Sequence, residues 1–371
     1  MDQIAEAKKV AGQLILSGFK GFEPSTDTLR FFKEADIGGV IYFGHNYESS
    51  AQIAEASNRF QSNRNGLPLW IAVDHEGGKV QRFKKPFTKI PDAATLSQAE
   101  SPKLLFEVSS MIARELRAVG VNLNFAPVAD INTNPKNPVI GPRAFGSTEE
   151  DVSKAVTAFV RGHLVEKVQP CVKHFPGHGD TSVDSHFHLP RVDTDVETLR
   201  AREFKTFSKA FKARCSAVMT AHVIVSALDK DRPATLSSKI LHDLLRVEMR
   251  FKKIIFSDDM EMKAITDHWG AEQAPVYAIE AGCDQLLYRS EEMATQAYQS
   301  LLNALDKRAL SPLRVLESAK RVRLQKESVL LPFNFTDISE IPKYVGLDTS
   351  QKLIDEICGT LKTPLFPGSL V

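Results

Sequence analysis

Eight short apolar runs, several of them rich in β-branched residues, recur along this chain, and a helical pattern separates each run from the next. The runs that we predict as strands span residues 13–19, 39–43, 69–73, 121–125, 170–174, 217–221, 253–256 and 283–288. Some are apolar throughout, as expected for parallel strands that are buried on both faces. Eight such units with helices between them predict an α/β fold, a (β/α)8 barrel of the TIM type. A doubly wound open sheet is the alternative, but no glycine-rich dinucleotide loop follows the first strand.

The intervals between the runs carry helix signals. The clearest helix begins at Ser101 and Pro102, keeps apolar residues at a spacing of about 3.6, and ends at Gly120. Another follows a capping box at Ser147. The further predicted helices span residues 26–35, 50–63, 196–213, 237–248, 272–281, 292–306 and 312–325.

The last part of the chain differs from this alternation. We predict one barrel domain over residues 1–327 and a C-terminal extension over residues 328–371. A segment of that length buries too little apolar surface to be stable alone. We therefore expect the extension to pack on the barrel.

Composition excludes several classes of protein. The chain has 47 Lys and Arg against 46 Asp and Glu. This balance argues against a partner that is a nucleic acid or an anionic membrane. The four cysteines are far apart in sequence, which is typical of reduced thiols rather than of a metal or redox motif. We find no run of roughly 18 apolar residues and no signal peptide, so we expect a cytoplasmic protein that does not enter membranes.

Polar residues cluster where the predicted strands end, and in a barrel these ends carry the functional groups. Asp258 and Asp259 end the seventh strand. Because neighbouring strand residues point to opposite faces, we expect one of them to face the barrel mouth and the other to cap the next helix. A carboxylate at the mouth is suited to attack or stabilise a positively charged carbon. Arg82, Arg143 and Lys173 would donate hydrogen bonds to an oxygen-rich ligand.

The loop after the fifth strand concentrates titratable groups. It holds four of the chain's ten histidines and two aspartates: His174, His178, His186, His188, Asp180 and Asp184. A metal site is disfavoured, because there is no HExxH helix and glycines interrupt the segment. Asp184 lies two residues before His186, so a bend would let the carboxylate orient the ring for acid/base chemistry.

Five segments together resemble glycoside hydrolase family 3, in order and in spacing. They are VDHEGGKVQRF, NLNFAPVADIN, GPRAFGS, KHFPGHGDTSVDSHFHLP and FSDDMEM. The resemblance covers roughly residues 10–325 and is strongest to the single-domain bacterial β-N-acetylglucosaminidases of peptidoglycan recycling. It implies that Asp258 is the nucleophile and that His186, paired with Asp184, is the general acid/base. The sugar-binding residues that it implies are Asp74, Arg82, Arg143, Lys173 and His174. His75 departs from the family pattern, which usually has Gln there.

The resemblance also implies an activity. It is retaining, exo-acting hydrolysis that releases N-acetylglucosamine from muropeptide disaccharides such as N-acetylglucosaminyl-anhydro-N-acetylmuramic acid, with or without its peptide, through a covalent glycosyl-enzyme. The expected partner is this small carbohydrate, acted on in the cytoplasm by a monomer that uses no cofactor and no metal.

Four other functions stay open at this point. The chain could be a β-glucosidase or β-xylosidase of the same family, or it could use the adjacent carboxylates Asp258 and Asp259 in substrate-assisted hydrolysis. It could also be a metal-dependent hydrolase built on the histidine-rich loop, or a sugar-binding protein without activity.

Overall fold

A closed barrel of eight parallel strands forms the centre of the protein. The computed structural model describes residues 2–64, 66–181 and 189–359. The strands are β1 (Ile15–Ser17), β2 (Gly39–Tyr42), β3 (Trp70–Val73), β4 (Leu123–Asn124), β5 (Gln169–Phe175), β6 (Ala217–Thr220), β7 (Ile254–Asp259) and β8 (Gln285–Tyr288). Consecutive strands are neighbours, and β8 closes on β1 with Leu286 paired to Ile15. The predicted (β/α)8 barrel is confirmed.

Helices surround the strands. They are α1 (Gln3–Val10), α2 (Thr26–Glu34), α3 (Ser50–Ser62), α4 (Ala93–Ser97), α5 (Pro102–Arg117), α6 (Glu149–Val165), α7 (Val196–Ala201), α8 (Glu203–Lys212), α9 (Lys263–Trp269), α10 (Ala274–Ala281), α11 (Glu291–Asp306), α12 (Pro312–Leu330) and α13 (Asp348–Gly359). Side-chain hydroxyls begin many of them: Ser25 accepts the Thr28 N–H, and Thr148 accepts the Asp151 N–H. Such caps satisfy backbone donors that a helix start leaves free.

Two apolar layers hold the barrel together. Along β3, Trp70 and Ala72 point into the barrel, whereas Ile71 and Val73 pack against the helices outside it. This alternation follows from the two-residue period of a strand. The interior is filled by large side chains such as Phe125 and Phe256, whose ring centroids are 5.3 Å apart. The barrel is thus a packed core, and ligands have room only at its ends.

Several elements differ from the sequence-based expectation, and helices α1, α4 and α9 were not predicted. The helix expected over residues 196–213 is broken at Arg202 (φ −120°, ψ −81°), whose guanidinium bonds Glu203 and contacts Asp180. The segment expected as an α-helix over residues 237–248 is a π-helix, Lys239–Glu248. A short antiparallel hairpin, His75–Gly77 with Val80–Gln81, follows β3.

The described part of the extension contacts the barrel helices. Helix α12 continues to Leu330, past the expected boundary at residue 327. Thereafter Thr336 exchanges hydrogen bonds with Asn58 of α3, at 2.8 and 2.9 Å. The Gly346 N–H donates to Glu115 of α5 at 3.0 Å. The division at 327/328 stays a prediction. Among the described residues, no helix is both long and apolar enough to cross a membrane.

Candidate active site

A cavity of about 440 Å³ opens at the carboxyl end of the barrel strands. It is lined by six of the predicted site residues: Asp74, Arg82, Arg143, Lys173, His174 and Asp258. The other two, Asp184 and His186, lie outside the described residues. A larger groove of about 1150 Å³ runs over α5, α6 and α8, but exposed lysines and glutamates of helices form much of its lining. The strand-end cavity is therefore the candidate active site.

A buried ion-pair network forms one side of this cavity. Lys173 of β5 is 2% exposed, and its Nζ lies 2.6 Å from Asp74 Oδ1 and 2.6 Å from Glu76 Oε1. Arg143 donates to both oxygens of Glu76, from Nε at 2.9 Å and from Nη2 at 2.8 Å. Burial alone would raise the pKa of Glu76, but Arg143 and Lys173 hold it well below its usual range. These groups are charged and fixed, so they offer preorganised donors and acceptors to a polar ligand.

Asn124, at the end of β4, holds the backbone from which Asp74 and Glu76 project. Its Oδ1 accepts the His75 N–H at 3.0 Å, and its Nδ2 donates to the His75 carbonyl at 3.1 Å. The His75 ring packs against Phe83, with centroids 5.7 Å apart, and burial lowers its pKa to about 3. His75 is therefore neutral and does not line the cavity.

His174 is oriented by Asp130. Its Nδ1 lies 2.7 Å from Asp130 Oδ2, and its Nε2 lies 3.5 Å from Arg143 Nη2. Asp130 also accepts the His178 N–H at 2.7 Å. Burial opposes ionisation of Asp130, but His174 and His178 lower its pKa overall. Because an ionised carboxylate only accepts hydrogen bonds, Nδ1 of His174 carries a proton and Nε2 is presented to the cavity.

Asp258 and Asp259, at the end of β7, both line the cavity. The expectation that only one of them faces the mouth is wrong, because the pairing of β7 with β8 shifts register between Phe256 and Asp259. The expected helix cap is also absent, since Met262 is the N-cap of α9. The Asp259 N–H donates to Asp258 Oδ1 at 2.8 Å.

The two carboxyl groups differ in electrostatics. Burial alone would raise the pKa of Asp258, but His174, His222, the Asp259 N–H and Lys173 together lower it below its ordinary value. For Asp259, burial raises the pKa to about 7, although Arg289 Nε lies 2.5 Å from its Oδ2 and favours the charged form. Asp258 is therefore ionised at neutral pH, whereas Asp259 binds a proton more readily than Asp258 does. A divergence of this kind separates the roles of neighbouring carboxyl groups in enzymes.

Glu76, Asp130 and Arg289 of this site were missed in the sequence. Glu76 lies two positions after Asp74, a spacing that places both on one side of an extended segment, and this signal could have found it. Asp130 stands alone in the apolar run FAPVADI. Only the fold shows that it reaches His174.

Among the residues that the structure describes, no group of three or more His, Cys, Asp or Glu side chains is arranged to hold a metal ion. His186 and His188 lie outside those residues.

Comparison with known proteins decides the family. The model of the glycosyl hydrolase family 3 N-terminal domain matches residues 6–324. The chain belongs to glycosyl hydrolase family 3. This confirms the resemblance seen in the five segments, and the chain is therefore a glycoside hydrolase.

Individual relatives and a solved structure are also similar to this chain. The β-hexosaminidase of Methylococcus capsulatus is 36% identical over 82% of this chain and 91% of its own length. β-Hexosaminidase A of Pseudoalteromonas piscicida is 33% identical over 87% of this chain, which spans only 58% of that longer relative. The family 3 β-N-acetylglucosaminidase structure from Paenibacillus sp. str. FPU-7 matches with a TM-score of 0.89 and 38% identity, covering 94% of this chain and 68% of that one.

Proposed function

We propose that this family 3 enzyme is a retaining, exo-acting β-N-acetylglucosaminidase. The observation that carries the proposal is Asp258, a partly buried and ionised carboxylate that lines one cavity together with a fixed network of donors and acceptors. The related β-hexosaminidases and the Paenibacillus β-N-acetylglucosaminidase support the choice of sugar.

Asp258 is the proposed nucleophile. Its carboxylate attacks the anomeric carbon, the bond to the aglycone oxygen breaks, and that oxygen leaves with a proton from a general acid. Water then attacks the glycosyl ester, gives its proton to the same group acting as base, and releases the sugar with its β-configuration retained. His174, His222 and Lys173 favour the charged form of Asp258, and so supply the nucleophile at neutral pH.

His186, oriented by Asp184, is the proposed acid/base. Both residues lie outside the described part of the chain, so this assignment rests on the family resemblance. A carboxylate next to an imidazole stabilises the protonated ring and leaves a neutral form available near neutral pH.

The network around Lys173 is the proposed binding site for sugar hydroxyls, formed by Asp74, Arg82, Arg143, Lys173 and His174. In an eight-stranded barrel, β3 lies opposite β7, so a sugar whose anomeric carbon meets Asp258 points its far end at Asp74. Buried side chains close that side of the cavity: Lys173 is 2% exposed and Glu76 is 6% exposed. An arrangement closed on this side favours a terminal sugar, which supports exo-action.

The proposed substrate is a muropeptide disaccharide, N-acetylglucosaminyl-anhydro-N-acetylmuramic acid with or without its peptide. The proposed role is cell-wall recycling by a monomer in the cytoplasm. The family resemblance supports these finer assignments.

Turnover of p-nitrophenyl N-acetyl-β-glucosaminide and of the corresponding glucoside tests the activity. We expect kcat/KM to be much higher for the acetamido substrate, the β-anomer to appear first by NMR, and activity to survive EDTA. Faster turnover of the glucoside would instead support a β-glucosidase. Loss of activity in EDTA, restored by zinc, would support a metal-dependent hydrolase.

A series of aryl N-acetylglucosaminides with different leaving-group pKa values tests the acid/base pair. We expect His186→Ala to lose most activity on poor leaving groups, because phenolates of low pKa depart without a proton. Asp184→Asn should show the same trend with a smaller loss, since the ring remains but is less basic. A uniform loss across the series for His186→Ala would assign the proton donor to another residue.

A further inference from the structure

The two sides of the cavity differ in chemistry. The side formed after β3, β4 and β5 is charged, and two of its cations are engaged by carboxylates: Lys173 by Asp74 and Glu76, and Arg143 by Glu76. The side around Asp258 is lined by an apolar cluster that consists of Phe43, Met219, Met262 and Leu287. Met219 lies on β6 and Leu287 on β8, so they flank Asp258 of β7. One cation, Arg289, borders this cluster directly after β8.

Arg289 has N–H donors that its contact with Asp259 does not use. Its side chain is 46% exposed, and its contact with Asp259 Oδ2 uses Nε at 2.5 Å. Within the described part of the chain, no hydrogen bond joins Nη1 or Nη2 of Arg289 to a protein acceptor. Arg143, in contrast, donates hydrogen bonds from Nε and Nη2 to Glu76. A guanidinium has five N–H donors and no acceptor, so, as far as the described residues go, Arg289 can offer both amino groups to an oxygen in the cavity.

The ion pair fixes where those donors lie. Asp259 is held by its neighbours, because its N–H donates to Asp258 Oδ1 at 2.8 Å and its carbonyl lies 3.0 Å from His222 Nε2. Arg289 is thereby tied next to the nucleophile. In a pyranose bound for attack by Asp258, C1 meets Asp258 and C4 is on the opposite side of the ring, towards the Lys173 network. The substituent on C2, one bond from C1, therefore lies at the Asp258 end of the ring, and we place it on the side of Arg289 and the apolar cluster.

We propose that Arg289 is a specificity-determining residue that donates to the carbonyl oxygen of the substrate's 2-acetamido group, while the methyl of that group packs on the apolar cluster. This inference rests on the proposed function and adds the residue that selects the acetamido sugar. A 2-hydroxyl is too short to reach the same donors and has no methyl to bury. A hydrogen bond to a charged donor contributes about 1.5–3 kcal/mol in typical cases, which corresponds to roughly 10- to 100-fold in kcat/KM.

The test compares wild type, Arg289→Ala and Arg289→Lys on the p-nitrophenyl β-glycosides of N-acetylglucosamine and of glucose. We expect Arg289→Ala to lower the ratio of kcat/KM between the two substrates by roughly 10- to 100-fold, because only the acetamido substrate loses a partner. Arg289→Lys should restore part of this ratio. Lys20→Ala is the matched control, since Lys20 is an exposed cation after β1 that pairs with Glu292 and does not line the cavity. It should leave the ratio unchanged.

Other outcomes overturn the inference. Equal losses on both substrates in Arg289→Ala would mean that Arg289 only holds Asp259 and Asp258 in place. An unchanged ratio of kcat/KM between the two substrates would mean that other residues recognise the substituent on C2. If the ratio is unchanged on aryl glycosides but turnover of an N-acetylmuramic acid aglycone falls, Arg289 binds the carboxylate of the aglycone. A wild-type enzyme that prefers the glucoside would contradict the proposed function itself, whereas the first three outcomes leave that function standing.

Discussion

Asp258 and Asp259 are adjacent in the chain, yet their surroundings move their pKa values in opposite directions. His174, His222 and Lys173 lower the pKa of Asp258, which stays ionised. We expect Asp258→Asn to lower kcat by roughly 10³-fold or more, because an amide cannot form the glycosyl ester. Steady-state kinetics with a circular dichroism spectrum of the folded variant checks this.

Asp259→Asn is the matched control for that substitution. Its backbone N–H, which donates to Asp258, is kept, so we expect a smaller loss of kcat. A severe defect in Asp259→Asn together with a mild one in Asp258→Asn would reverse the assignment of the nucleophile.

Glu76 is the common partner of Lys173 and Arg143 in the cavity. In Glu76→Gln the side chain keeps its shape but leaves two buried cations with less counter-charge. We expect a higher KM and a lower melting temperature, since removing one partner of a buried pair costs about 3–5 kcal/mol in comparable cases. Glu150→Gln, which alters an exposed pair with Lys154, should change neither quantity measurably. An unchanged KM in Glu76→Gln would exclude the network from sugar binding.

The sequence predicted the placement of isolated polar residues at strand ends but not their partners. Asp74, Lys173 and Asp258 could be placed at the barrel mouth because they follow or end apolar runs. That Asp130 orients His174 depends on contacts between segments 44 residues apart in the chain, and no local pattern contains them.

At the scale of elements, strands were easier to predict than their connections. Continuous apolar runs define β2 and β7 because both faces of a parallel strand are buried. At the break, Arg202 pairs with its neighbour Glu203 and also contacts Asp180, 22 residues away, which is a tertiary interaction that no local pattern contains. The hairpin after β3 was missed because its first strand is only 3 residues long and ends at Gly77 and Gly78, both at positive φ. So short a strand shows no apolar alternation in the sequence.

Helix α12 places a buried lysine next to the segments that lead into β1 and β2. Lys326 is 0% exposed, and its Nζ donates to Gln13 Oε1 at 2.9 Å and to the Gly38 carbonyl at 2.7 Å. Burial lowers its pKa from 10.5 to about 7. The unfolded chain therefore binds more protons than the folded one between these values, so this group makes the folded state more stable as pH rises from about 7 to 10.5.

The free energy of unfolding is compared between wild type and Lys326→Met. The difference, wild type minus variant, should increase by a few kcal/mol between pH values of about 7 and 10.5, because the pKa shift sets its size. Chemical denaturation at several pH values measures this. Taking the difference cancels buried tyrosines and cysteines that both proteins share. Lys320→Met is the control, because Lys320 is exposed on the same helix. A difference that stays flat with pH would show that Lys326 is charged in the folded protein.

At the scale of the whole molecule, the question is whether the extension and the barrel unfold as one unit. The extension contributes Ile341 and Val345 to the apolar core, with 4% and 5% of their surfaces exposed. Its backbone also bonds Glu115, which itself accepts from Thr88 of the barrel at 3.0 and 2.7 Å. Shared burial and shared hydrogen bonds of this kind make unfolding cooperative.

We therefore expect one calorimetric transition for the full chain, and Ile341→Asp should move that whole transition down. A charge placed at a buried apolar position costs roughly 3 kcal/mol or more. Tyr344→Asp is the control three residues away, because Tyr344 is 37% exposed. If Ile341→Asp instead separates a small early transition and kcat/KM persists above it, the extension is an independent unit. In that case the barrel alone carries the stability of the active site.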